Sequence, residues 1–93
     1  MSQTNRISKN NTKIVRNDDG STSVFLHGTE IVKIWNSGEI TLNSGGWMTV
    51  TTKARMNQVS NEWNLHFQVF QTKNVWFVST PSDVLKFKDG MSI

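Results

Sequence analysis

The chain has 93 residues, ten Lys and Arg against seven Asp and Glu, a net charge of +3 and no cysteine. That length holds one small core, the missing thiols remove disulfide staples and thiolate metal sites, and no apolar run reaches membrane-spanning length. Four Trp and five Phe, with the spread of Ile, Val and Leu, supply one compact core. A core of that size leaves homo-oligomerisation open as a source of further stability.

Residues 1–11 are polar and without periodicity, and they lack the apolar centre of a signal peptide. They are expected to be a disordered basic arm ahead of a single α+β domain over residues 12–93. The expectation is a soluble intracellular protein. Arg6, Lys9, Lys13 and Arg16 all precede the first acidic residue. A run of cations of this kind can follow a phosphate backbone. The simpler alternative is a solvated tail that keeps the protein in solution.

From Thr12 to Arg16 the sequence reads as a short strand, and Asp19-Gly20 supplies the positive φ that a tight hairpin needs. The return strand runs from Ser21 to His27, with Val24 and Leu26 on one face and Phe25 and His27 on the other. Gly28 breaks it. Glu30 to Trp35 is apolar at every position after the first except Lys33, which suits a central strand covered on both sides. A turn at residues 36–38 leads to Glu39–Asn43, where Ile40 and Leu42 alternate inward. These four segments read as an antiparallel meander.

Gly45 and Gly46 then interrupt the chain before its one credible helix, capped by Thr51 or Thr52 and starting no earlier than Thr52. Ala54, Met56, Val59 and Trp63 lie close to one stripe. Ser60 and Asn61 are expected to end or fray the helix. Two more strands follow, one over residues 64–71 and one over residues 75–78, with a short further strand open over residues 84–87. The expected fold is α+β, an antiparallel sheet of about six strands in the order β-β-β-β-α-β-β with one helix packed on it.

Chemistry is sparse. His27 and His66 lie far apart without metal-ligand spacing, and the carboxylates are scattered singly, so no catalytic residue, metal or cofactor is assigned. The strand-to-helix junction is a candidate anion site. Helix N-termini attract anions, Gly45 and Gly46 allow close approach to the backbone, Thr52 lies at the helix start, and Lys53 and Arg55 add positive charge. The spacing is not that of a phosphate loop, and the plain alternative is a turn with Trp47 plugging the core. Trp35, Trp76, Phe77 and Phe87 lie near Lys33, Lys73, Lys86 and Lys88, the composition of a stacking platform for single strands. A small domain also needs such rings for its interior, and Trp47 and Trp76 are expected there.

Three segments, Leu26-His-Gly-Thr-Glu-Ile-Val32, Ile40-Thr-Leu-Asn-Ser-Gly-Gly-Trp47 and Thr49-Val-Thr-Thr-Lys-Ala-Arg-Met-Asn57, resemble a group of small bacteriophage proteins. Val69 to Val78 is similar to their closing hairpin, and Phe87 to Met91 to their ending. The resemblance covers residues 24–91 and leaves the arm outside. It implies a virus-encoded accessory protein acting in the host cytoplasm, and it carries no reaction. Two partner classes follow from the residues: nucleic acid held by Arg6, Lys9, Lys13, Arg16, Lys53 and Arg55, or a host or defence protein met through a sheet edge or aromatic patch. No membrane partner is expected.

Overall fold

The computed structural model describes residues 11–93. In chain order the elements are β1 (Thr12–Arg16), β2 (Thr22–Leu26), β3 (Thr29–Ile34), β4 (Ile40–Leu42), α1 (Val50–Glu62), β5 (Gln68–Thr72), β6 (Val75–Ser79), β7 (Val84–Lys86) and β8 (Met91–Ser92). The α+β class and the four-strand meander are as the sequence suggests. The strands divide between two antiparallel sheets, β1-β2-β3-β4-β8 and β5-β6-β7. The described chain correspondingly forms two compact units, residues 11–48 with Lys88–Ile93, and Thr49–Phe87.

Turn chemistry sets the register of the first unit. Between β1 and β2, the Gly20 N–H donates to Asn17 O at 3.0 Å and the Asn17 N–H to Ser21 O at 2.8 Å. In that loop only Gly20 takes positive φ, at +90°, so this is a type I turn closed by a left-handed glycine and not the Asp-Gly type I′ turn. The same pattern recurs between β3 and β4, where the Gly38 N–H reaches Trp35 O at 2.9 Å and the Trp35 N–H reaches Glu39 O at 2.8 Å. The β2–β3 hairpin is the type I′ case, with His27 at φ +50° and Gly28 at +81°.

The β2–β3 ladder also carries a bulge. Val24 pairs with Val32, but Phe25 pairs with Glu30, which leaves Ile31 unopposed. Two residues against one rotate the strand locally, and Ile31 and Val32 are both buried although adjacent. The consecutive apolar residues of β3 therefore mark a bulge and not a strand covered on both faces. Val24, Leu26, Ile40 and Leu42 complete the buried apolar set of this sheet. At its far edge β8 pairs Met91 with Leu42 and Ser92 with Thr41.

In the other unit Thr49 is the N-cap, its hydroxyl accepting from the Thr52 N–H at 3.2 Å. The helix thus starts at Val50, two residues nearer the glycines than β-branched propensity suggests, because the cap bond satisfies an otherwise unpaired donor. Nor does it end at Ser60 and Asn61. Trp63 is the C-cap, Asn64 turns left-handed at φ +52°, and the Leu65 N–H donates back to Ser60 O at 2.9 Å. That is a Schellman ending with Asn where Gly is usual.

The buried helix positions are Thr52, Arg55, Met56, Val59 and Ser60. Their spacing is helical, yet three of the five are polar, because this face makes hydrogen bonds as well as apolar contacts. The Asn57 side chain donates to Val69 O at 2.9 Å and accepts from the Val69 N–H at 2.7 Å. Ser60 Oγ donates to Phe67 O at 2.6 Å and accepts from the Phe67 N–H at 3.0 Å. Apolar burial comes from Met56, Val59, Phe67, Val69, Trp76, Val78 and Phe87. Trp76 meets Phe87 edge-on, with ring centroids 5.4 Å apart.

Candidate nucleic-acid interface

Residues directly opposite each other in a ladder share a face. In the five-stranded sheet Lys13 lies opposite Phe25, and Val15 opposite Ser23. Ser23 in turn lies opposite Lys33, and Lys33 opposite Thr41. These residues occupy the face away from buried Val24, Val32 and Leu42. Glu30, opposite Phe25, is the carboxylate among them.

Trp35 extends this face beyond β3. Lys33 Nζ stands 3.9 Å from the centre of the Trp35 ring, a cation–π contact. The indole Nε1–H donates to Thr41 Oγ1 at 2.9 Å. Trp35 remains 37% exposed, so the pair holds an ammonium group at the surface in a defined place. Near β1 the surface dips into a depression of about 470 Å³ whose lining includes Asn11, Lys13, Val15, Asn17, Phe25 and Gly28. Asn17 is held by its Nδ2 group donating to Ser21 Oγ and Ser23 Oγ, both at 2.9 Å. Asp19 accepts from Ser21 Oγ and the Ser21 N–H, and those bonds hold its carboxyl below the usual value.

Of the six cations singled out by sequence, four lie among the described residues. Arg6 and Lys9 lie outside the described residues, while Lys13 and Arg16 are exposed on β1. Lys53 and Arg55 belong to the other unit. Lys53 Nζ donates to Gln71 Oε1 at 3.0 Å and stands 5.5 Å from the Trp76 ring. Arg55 is buried, 9% exposed, with Nη1 at 3.5 Å from Gln58 Oε1.

The donors of the glycine junction are engaged within the chain. The Gly45 N–H donates to Asn43 Oδ1 at 3.2 Å and the Gly46 N–H to Ser44 Oγ at 3.1 Å. Thr52 is 1% exposed and its N–H goes to the cap. Gly45 and Gly46, at φ +62° and +87°, fill the middle of a type I′ turn closed by the Trp47 N–H on Ser44 O at 2.9 Å. Asp89 Oδ1 accepts from the Ser44 N–H at 2.8 Å and Ser44 Oγ at 2.7 Å.

Trp47 corrects the sequence reading. It is 65% exposed and Met48 49%, so this indole does not plug the core. Trp76, 4% exposed, is interior as expected. Lys33 and Trp35 are neighbours in sequence, whereas Phe25 meets Lys13 only through strand register, which no local signal shows. Among the described residues no three of His, Cys, Asp and Glu form a metal-binding group. No helix among them is long and apolar enough to cross a membrane.

Fold and site together define a small α+β protein with a basic, partly aromatic face on a five-stranded antiparallel sheet. The chain matches the family model described as Kyanoviridae Gp96 protein over residues 1–93 and belongs to that family of phage proteins. The match takes in residues 1–11, which the motif resemblance leaves out. No curated protein and no solved structure matches the chain.

Proposed function

We propose that this phage protein is a non-enzymatic accessory module of the host cytoplasm that binds nucleic acid. The observation that carries the reading is the exposure of Lys13 and Arg16 on edge strand β1, with Lys33 held on the adjoining sheet face by Trp35. Arg6 and Lys9 precede β1 in sequence and extend the same run of cations. Exposed cations release condensed counterions when they meet phosphates, so affinity falls as salt rises. Buried Arg55 and tethered Lys53 have no part in this reading.

Fluorescence anisotropy with labelled oligonucleotides over a salt series tests it. Replacing Lys13 and Arg16 together by Ala is expected to flatten the slope of log affinity against log salt by about 1–2. Lys53→Ala is expected to leave that slope unchanged. Absence of binding at low salt would end the nucleic-acid reading.

The second reading, a module that meets a host or defence protein, rests on Trp47. An exposed Trp beside an exposed Met, on a turn fixed by Asp89, has the composition of an interface anchor. Trp47→Ala would weaken such a complex and leave oligonucleotide binding intact.

A further inference from the structure

We infer that the β1–β2 depression takes the unstacked bases of a single-stranded nucleic acid, with Phe25 as the stacking surface and Lys13 and Lys33 as phosphate contacts. This rests on the nucleic-acid reading and narrows its substrate. The strand register brings Lys13 directly opposite Phe25, so a cation and an aromatic ring share one wall of the depression. Phe25 is half-buried, which fixes the ring while leaving part of it at the surface. A volume of about 470 Å³ lies within the range of small-ligand pockets and is enough for one or two bases.

The ring, and not the charge, favours a single strand over a duplex. Phosphates alone require cations, and Lys13 and Arg16 would meet a duplex as well as a single strand. An accessible ring in the basic depression adds something only if bases are free to leave their stack. Trp35 is placed differently, since Lys33 already covers its ring and Thr41 binds its N–H. Its part is to position the Lys33 ammonium. Glu30, on the other side of Phe25 from Lys13, repels phosphate and keeps the backbone on the β1 side. Asn11 and Asn17 line the same depression, and an amide side chain can meet a base edge.

The test compares an eight-nucleotide single strand with a duplex of the same length, at one low salt concentration, on the full chain. The single strand is expected to bind at least tenfold more tightly. Phe25→Leu keeps an apolar side chain but removes the ring, and is expected to weaken single-strand binding about tenfold while leaving duplex binding unchanged. Phe25→Tyr restores the ring and should restore affinity. Ultraviolet cross-linking of oligothymidylate to the unaltered protein, followed by peptide mapping, gives a readout independent of any variant's folding. It is expected to mark residue 25. Equal single-strand and duplex affinity with cross-links elsewhere overturns the inference and leaves the broader reading standing. No binding of either form overturns both.

Discussion

Gly45 and Gly46 both need the left-handed backbone, but for a side chain their surroundings differ. A Cβ on Gly45 would come within 2.5 Å of Thr29 Cγ2, whereas a Cβ on Gly46 meets nothing within 4 Å. Gly46→Ala therefore carries only the conformational cost, about 1 kcal/mol. Gly45→Ala adds a clash that Thr29 must relieve and is expected to be the more destabilising in chemical denaturation. Equal losses would mean that Thr29 yields freely. Asp19 offers a titration at the same scale. Its carboxyl is depressed from 3.8 mainly by the Ser21 side-chain bond, then by the Ser21 backbone bond. A depressed carboxylate stabilises the fold above its unfolded value, and that contribution disappears as pH falls through the lower, folded value. Ser21→Ala should move the Asp19 titration, followed by NMR, back toward 3.8.

At the scale of elements, α1 serves β5 as a neighbouring strand would. Asn57 exchanges two hydrogen bonds with the backbone of Val69, and Ser60 exchanges two with that of Phe67. One turn before Asn57, Lys53 reaches Gln71. Positions 53, 57 and 60 on the helix thus meet 71, 69 and 67 on the chain, running in opposite directions. This closes an edge that would otherwise present unpaired N–H and C=O groups to another chain. Asn57→Ala or Ser60→Ala leaves one donor and one acceptor unpaired, at an expected cost of about 1–3 kcal/mol each. Asn57→Ala should also speed hydrogen exchange at the Val69 amide more than at Val78 on β6. Unchanged exchange at Val69 would argue that the edge is protected by burial alone. At β7, the other edge, protection comes from a length of three residues and exposed Lys86.

For the whole molecule, each unit has its own buried apolar set, and truncation in either should be costly. Leu42→Ala in the five-stranded unit is expected to lose about 2–5 kcal/mol, and Trp76→Ala in the helical unit about 3–5 kcal/mol. Trp47→Ala, at a site 65% exposed, should stay within about 0.5 kcal/mol of the unaltered protein. Thermal melts of the three variants check the ordering. A large loss from Trp47→Ala would show that its exposed ring still supports the fold. The same ordering bears on function, since a stable Trp47 variant is the one that can separate a protein partner from a nucleic-acid partner.

The sequence by itself determined the α+β class, β1, the meander from β1 to β4, the interior place of Trp76 and the glycine turn at 45–46. Alternation, Asp-Gly and Ser-Gly pairs and adjacent glycines are local signals, and local backbone sterics are what those elements depend on. Tertiary structure alone decided the rest. The β3 bulge that buries Ile31 beside Val32 reads in sequence as a continuous apolar run, because only the pairing with β2 reveals the extra residue. Asn57 looks like a surface residue of a helix, and Ser60 like its end, until β5 is beside them. Arg55 and Trp47 exchanged their expected places, the cation buried and the indole exposed, since burial depends on what packs over a position and not on its side chain. The candidate site belongs to the same class: Lys13 and Phe25 lie twelve positions apart in sequence, and an antiparallel register sets them face to face.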